Sequence, residues 1–132
     1  MKRSQARETV FLLLFEFIFN HDSTADEILQ RAIQSRNLEV DAYINYTFPA
    51  ILEKIDELDK IINEYSIKWK ADRLTKPALC AARLAIFEIL YLDDVPVPIA
   101  INEAIELIKK YDSNESAKYV NGFLGSWAKK HG

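Results

Sequence analysis

Residues that make tight turns are scarce in this sequence. Only three of its 132 residues are glycine, and four are proline. An all-β fold joins many short strands through glycine- and proline-rich turns, so this composition argues against one. A chain of this length is expected to form one domain. The sequence therefore predicts a single compact all-α domain over residues 1–132.

The residues that build metal, cofactor and covalent-catalysis sites are also scarce. Cys80 is the one cysteine, which excludes an internal disulfide, and its apolar surroundings predict a small buried hydrophobe. The two histidines, His21 and His131, lie near a chain turn or end. There is no glycine-rich phosphate loop, paired-cysteine spacing or HExxH motif, and no nucleophile with an adjacent base. We expect no catalytic residue, no cofactor and no metal, which favours a binding module over an enzyme.

An excess of positive charge is missing as well. The formal net charge is −3, and the isoelectric point is about 5.4. A strongly basic protein would bind nucleic acid nonspecifically, and this chain is not one. Any nucleic-acid site must therefore be a local basic patch on an acidic body, with modest affinity alone or a need for a partner.

No apolar stretch has the character of a membrane span or a leader. Val10–Phe19 follows a basic start, as in a signal peptide, but Glu16 interrupts it and no small-residue cleavage pattern follows. Pro77–Leu92 is short for a span and carries the charged residues Arg83 and Glu88. Both stretches are predicted as core helices of a cytoplasmic protein that does not contact a membrane.

The stretch Pro77–Leu92, PALCAARLAIFEILYL, is predicted as a buried central helix. A surface helix has one apolar stripe, whereas a helix that is apolar on every side is buried on every side. Thr75 suits its N-cap, and Pro77 suits its first turn. Buried arginine and glutamate are rare unless they are paired, so Arg83 and Glu88 are expected to have partners.

Helical periodicity precedes the central helix. After the first helix, Ser23 is predicted to cap a second one that ends near Gln34–Asn37. Asp41 is predicted to cap a long third helix whose apolar face extends to Ile62. Pro49 should kink or break this helix, because an internal proline removes a hydrogen bond and clashes with the preceding turn, at a cost of ~3 kcal/mol.

Two more helices follow the central one, after an extended connection imposed by the DDVPVP segment. Pro98 opens the first of them, and Ser116 opens the last after a polar loop. Gly122 and Gly125 lack side chains and are therefore predicted to let a neighbouring helix approach closely. Each glycine costs ~1 kcal/mol relative to alanine in a helix interior, and this close packing is expected to compensate for that cost. Upstream of the central helix, Trp69 is expected to plug one end of the core.

Three cations near the N-terminus form a candidate basic patch. Arg3 and Arg7 are four residues apart and therefore share one helix face, and Lys2 is adjacent. The residues themselves leave two interpretations open, a solvated helix end and a phosphate-binding site.

Four short segments carry a more specific signal. They are RLAIFEILYLDDVPVPIAINEAIELIKKY at Arg83–Tyr111, SAKYVNGFL at Ser116–Leu124, WKADRL at Trp69–Leu74 and ARE at Ala6–Glu8. The combination of an RLA-x-x-E helix, an INEA helix start and a K-[YF]-VNG helix is specific, although none of the three suffices alone. Together these segments resemble the NusB family of bacterial transcription antitermination factors.

The resemblance implies an all-α domain of about seven helices. It also implies a factor that binds boxA RNA together with NusE, a ribosomal protein of the small subunit. In that role it helps the transcription elongation complex read through terminators, chiefly in ribosomal RNA operons. The family's RNA surface uses the basic N-terminus and the start of the last helix. Carried over by position, the RNA-binding residues are Lys2, Arg3, Arg7, Lys118, Tyr119 and Asn121.

The residue chemistry agrees with this assignment and leaves alternatives open. Lysine and arginine neutralise phosphates, and single-stranded RNA bases stack on aromatic rings such as that of Tyr119. Tyr119 also suits a core position, and Asn102 and Asn121 suit a role in bonding backbone and loop groups.

The sequence departs from the family pattern at two places. Ser4 and Gln5 replace part of the usual arginine-rich run, and Ala78 stands where the family commonly has an acidic residue. These departures motivate an alternative function, a protein-interaction module of the same fold with weak or lost RNA binding. The fold also resembles the RNA-binding part of some ribosomal RNA methyltransferases, but the chain ends at Gly132 without a cofactor-binding domain. A homodimer is compatible with apolar residues expected to be exposed on the first helix, which are Phe11, Leu14, Phe15, Phe17 and Ile18.

Overall fold

A computed structural model describes residues 1–131 of the chain, which form seven α-helices and no strand. The all-α prediction with about seven helices is thereby confirmed. Among these residues, no helix combines the length and the hydrophobicity that a membrane crossing requires. In chain order the helices are α1 (Arg3–Phe19), α2 (Ala25–Arg36), α3 (Ala42–Glu53), α4 (Ile55–Tyr65), α5 (Lys76–Tyr91), α6 (Val97–Tyr111) and α7 (Asn114–His131), with a 3₁₀ turn (Ala71–Arg73) before α5.

Helices α1 to α3 form a first compact unit, Met1–Lys54, in which α1 packs against α2 and α3. The N-cap of α2 is Thr24, so the prediction of Ser23 was wrong by one residue. The Thr24 hydroxyl accepts the Glu27 N–H at 3.1 Å, and the Glu27 carboxylate accepts the Thr24 N–H at 2.8 Å. This reciprocal capping box needs a glutamate or glutamine three residues after the cap, and Ser23 is followed there by Asp26. The hydrogen bond from the Thr24 backbone also lowers the pKa of Glu27.

The predicted long third helix is in fact two helices. Asp41 caps α3 as expected, because its carboxylate accepts the Ile44 N–H at 2.9 Å. The helix continues through Pro49, however, and the break falls at Lys54. The alternative of a break at the proline was therefore wrong, and the alternative of a kink stays a prediction.

Burial on either side of Pro49 explains why α3 tolerates it. Phe48 and Ile51 are both completely buried. Fully burying such side chains stabilises a fold by roughly 1.5–3 kcal/mol each. The pair therefore offsets the ~3 kcal/mol that an internal proline costs.

Helices α4 to α7 form a second compact unit from Ile55 onward. Within it, α5 packs against α4, α6 and α7, and every residue from Ala78 to Glu88 is buried. The Thr75 hydroxyl caps α5 by accepting the Ala78 N–H at 3.3 Å, as predicted. The buried helix with others packed around it is thereby confirmed within this unit, whereas the single domain over residues 1–132 stays a prediction.

The polar residues of α5 are buried with it. Arg83 donates two hydrogen bonds to the carboxylate of Asp59 on α4, from Nε at 2.9 Å and from Nη2 at 2.8 Å. This fork geometry is the strongest form of an arginine–carboxylate pair. Glu88 is also buried, and it has an interaction partner. Cys80 is completely buried, and desolvation raises the pKa of its thiol to about 12, which keeps it neutral.

The apolar surface of α1 differs from the expected one. Phe11 and Leu14, expected to be exposed, are each only 1% exposed. Leu12 and Phe19 are the exposed large apolar residues of this helix. That part of the basis for a homodimer was therefore wrong, and the homodimer itself stays a prediction.

The two described glycines of α7 lie against open space. A Cβ added at Gly122 or at Gly125 would meet no atom within 4 Å outside the helix's own backbone. The expectation that a neighbouring helix packs closely against them was therefore wrong. The two positions carry the conformational-entropy cost of glycine in a helix without a compensating contact.

We therefore expect Gly125→Ala to raise the free energy of unfolding by about 0.5–1 kcal/mol. Urea denaturation monitored by circular dichroism measures this change. Gly122→Ala is the matched second variant and should behave in the same way. A loss of stability in both variants would show that something occupies the space beside α7.

Candidate nucleic-acid interface

Three of the candidate RNA-binding residues lie in the first half of α7. Val120 and Leu124 are completely buried and fix which face of α7 is turned inward. Lys118 and Asn121 are consequently exposed, and Tyr119 is half-buried. The structure therefore places two of these residues at the surface and the third at the boundary of the core.

The hydroxyl of Tyr119 is the centre of a hydrogen-bond network. It accepts the backbone N–H groups of Lys68 at 3.1 Å and Trp69 at 3.2 Å, and it lies 2.9 Å from the Ser66 hydroxyl. Ser66 donates its one proton to the carbonyl oxygen of Trp69, so the tyrosine proton is donated to Ser66. Tyr119 thus ties α7 to the segment Ser66–Trp69, which follows α4.

A groove of about 730 Å³ opens beside this segment, within the second unit. Cations and aromatic rings both contribute to its walls, which is the combination that single-stranded nucleic acid binds. The cations are Lys68, Arg73 and Lys118, the aromatic residues are Trp69 and Tyr119, and the carboxylates are Asp112 and Glu115. We call this surface the α7 groove.

Both carboxylates of the α7 groove have a local structural role. Asp112 accepts the hydroxyl proton of Thr75, the N-cap of α5, at 2.5 Å. Glu115 lies in the first turn of α7, where a negative charge is stabilised by the helix dipole. Three cations against two carboxylates leave the groove one positive charge in excess, on a chain whose net charge is −3.

The three N-terminal candidates lie in the first unit and differ in exposure. Lys2 and Arg3 are exposed, and the Arg3 guanidinium lies 4.6 Å from the ring centroid of Tyr43. Arg7 is only 5% exposed, and it has an interaction partner. Lys2 and Arg3 therefore lie at the surface, whereas Arg7 would first have to become exposed to meet a phosphate.

The contribution of the segment before α5 to this surface was not predicted from the sequence. Trp69 is 44% exposed, so the expectation that it plugs the core was wrong. Lys68 and Arg73 had no predicted role, and both line the α7 groove. The available signal was the alternation of lysine and tryptophan in the KWK run at 68–70, a pattern suited to phosphates and bases in succession.

Comparison with known proteins identifies the family. The sequence profile of the NusB family matches residues 4–129. This chain belongs to the NusB family. A relative from Agathobacter rectalis named transcription antitermination protein NusB is 41% identical over 131 residues, which cover 97% of this chain and 100% of that protein. The predicted family is thereby confirmed.

Solved structures of NusB proteins share the fold. T. maritima NusB is 31% identical and superposes with a TM-score of 0.83, covering 98% of this chain and 92% of its own. A chain in the crystal structure of the antitermination factors NusB and NusE in complex with dsRNA is 25% identical. It superposes with a TM-score of 0.83 and covers 98% of this chain and 99% of its own. Both similarities extend over nearly the whole chain.

Proposed function

We propose that this NusB-family chain is a cytoplasmic, non-enzymatic transcription antitermination factor that binds boxA RNA together with NusE. In the transcription elongation complex it promotes read-through of ribosomal RNA operons. The observation that carries the proposal is the α7 groove, which is lined by cations and aromatic rings and lies in a fold shared with a chain of a NusB–NusE–dsRNA complex. The name of the relative from Agathobacter rectalis supports the role in antitermination.

The chemistry of the groove suits RNA bound with a partner. Lysine and arginine side chains release counterions when they neutralise phosphates, which gives sequence-independent affinity. The excess of one positive charge in the groove is small, and the chain as a whole is acidic. We therefore infer that RNA affinity is modest for the chain alone and rises when NusE adds its own contacts.

The test is a titration of fluorescently labelled boxA RNA, followed by anisotropy, with and without NusE and at two salt concentrations. We expect tight binding only with NusE present, and a clear preference over a scrambled RNA of the same composition. Equal affinity for the two RNAs would favour the alternative of a protein-interaction module. Unchanged amide chemical shifts at residues 118–121 on addition of both RNA and NusE would contradict any use of this surface.

Lys118→Ala should flatten the salt dependence of boxA binding. Each phosphate contact to a single strand contributes ~0.7 to the slope of log K against log salt concentration, so the slope should fall by about that amount. Lys109→Ala is the matched control, because Lys109 is an exposed lysine on α6 that pairs with Glu106 at 3.6 Å. Equal slopes for the two variants would show that Lys118 contacts no phosphate.

A further inference from the structure

Trp69 is a large aromatic residue left partly in water at the edge of the α7 groove. It is 44% exposed, and the Lys68 ammonium lies 5.5 Å from its ring centroid. A single exposed apolar residue is common on protein surfaces and needs no explanation by itself. The backbone that carries this ring, however, is held by more hydrogen bonds than an exposed connection requires.

The segment around Trp69 is fixed at three of its backbone groups. The N–H groups of Lys68 and Trp69 are both bonded to the Tyr119 hydroxyl, and the Trp69 carbonyl oxygen accepts the Ser66 hydroxyl proton. Ser66 itself is completely buried. The ring is therefore presented from a preorganised backbone, which lowers the entropy lost when a ligand binds to it.

We propose that Trp69 is the platform on which an unpaired RNA base stacks, and that Tyr119 is the positioning residue that holds this platform. The inference rests on the proposed RNA-binding function and names a contact within it. It also gives Tyr119 a role different from the stacking role that the sequence suggested.

The ligand class follows from the groove's chemistry. A tryptophan face stacks with any base, but a base inside a duplex is already covered on both faces, so the partner is an unpaired or terminal base. The Lys68 ammonium lies over the ring, so a stacking base would displace it, and the displaced cation would then be close to the phosphate next to that base. Arg73 and Lys118 line the same groove and extend the path for a phosphate backbone.

Tyr119 is unsuited to stacking because it is already engaged. Its hydroxyl makes three hydrogen bonds, and its ring makes an edge contact with Phe123 at a centroid distance of 5.7 Å. The half-buried ring also leaves less of its surface to a base than the ring of Trp69, which is 44% exposed. In the proposed arrangement, Tyr119 therefore positions the backbone of Trp69, and Trp69 makes the contact with the base.

The first experiment compares Trp69→Leu with Trp69→Phe in boxA RNA binding with NusE present. Leucine keeps the apolar bulk and removes the aromatic face, and we expect affinity to fall about tenfold or more. Phenylalanine keeps a smaller face and should bind within about threefold of the unaltered chain. Circular dichroism melting identifies any variant that is not folded. Equal affinities for the two folded variants would overturn the platform.

Tryptophan fluorescence gives a readout that a purely structural role would not produce. The chain has two tryptophans, and Trp127 is 5% exposed, whereas Trp69 is open to the groove. RNA should quench the emission of the unaltered chain, and this quenching should be absent in Trp69→Phe although that variant still binds. Quenching that persists in Trp69→Phe would contradict stacking on Trp69.

Tyr119→Phe tests the positioning role, because it removes only the hydroxyl. We expect affinity to fall several-fold, and we expect the double variant with Trp69→Leu to bind no more weakly than Trp69→Leu alone. Additive losses would mean that Tyr119 contacts RNA independently of the platform.

NusE binding without RNA separates the two classes of partner. If Trp69→Leu weakens NusE binding and leaves RNA binding unchanged, the ring is a protein contact and the inference is overturned. If the unaltered chain binds no RNA under any condition, the proposed function fails. Normal RNA binding by the unaltered chain and by Trp69→Leu would refute only the platform.

Discussion

Replacing Asp59 with alanine should lower the free energy of unfolding by about 3 kcal/mol. Asp59 is the acceptor of both hydrogen bonds from Arg83, which lies on α5 and is 8% exposed. Removing one partner of a buried pair costs about 3–5 kcal/mol, because the remaining charge stays desolvated and unpaired. We expect the lower end of this range, since the Asp59 side chain is 25% exposed and water can reach the vacated position. Urea denaturation followed by far-ultraviolet circular dichroism measures the change.

Asp56→Ala is the control for this variant. Asp56 lies on the same helix, is exposed and loses the same atoms, so only its favourable charge at the start of α4 is removed. That effect is typically about 0.3–1 kcal/mol. Equal losses in the two variants would mean that the Arg83 pair contributes nothing specific.

A double variant separates the desolvation penalty from the attraction. Replacing a buried ion pair by apolar residues of similar volume is often neutral or stabilising. Asp59→Leu combined with Arg83→Met should therefore recover most of the stability lost in Asp59→Ala. If the double variant is as unstable as Asp59→Ala, the loss of stability does not come from leaving the Arg83 charge buried and unpaired.

Most of the helices could be predicted from the sequence because their signals are local. The run Pro77–Leu92 is apolar on nearly every side, unlike a surface helix, and the structure buries it from Ala78 to Glu88. The caps at Asp41 and Thr75 also follow from neighbouring residues. Where local signals competed, as at Pro49, the outcome depended on burial that periodicity alone does not measure.

The α7 groove depends on contacts that are distant in the chain. Tyr119 is bonded to Lys68 and Trp69, which lie 51 and 50 residues before it. Helical spacing reports neither this contact nor the exposure of a ring in an irregular segment. The sequence therefore indicated α7 as part of the candidate site, but it predicted a core position for Trp69 and left Tyr119 open between base stacking and the core.

A similar distinction applies to the N-terminal candidates. The spacing of Arg3 and Arg7 places them on one face of α1, and that inference needs only helix geometry. Whether the face is open depends on residues packed against it, and Arg7 is buried whereas Arg3 is exposed. A shared face therefore does not imply shared access to a phosphate.

Replacing Ile86 with alanine should destabilise the chain by about 2–5 kcal/mol, and we expect the upper half of this range. Ile86 is completely buried on α5, where Ala81, Ala82 and Ala85 are buried as well. Ala82 lies four residues before Ile86 on the same helix face and has no side-chain freedom with which to fill a cavity, so a residual cavity should add to the cost.

Ile67→Ala provides the comparison within the same unit, because it removes the same atoms from a side chain that is 84% exposed. Its cost should stay within about 0.5 kcal/mol, as for surface substitutions generally. The difference between the two isoleucine variants, measured by urea denaturation, isolates the contribution of burial on α5. A difference below about 1 kcal/mol would mean that the burial of α5 does not stabilise its unit. The α7 groove would then lack a rigid base.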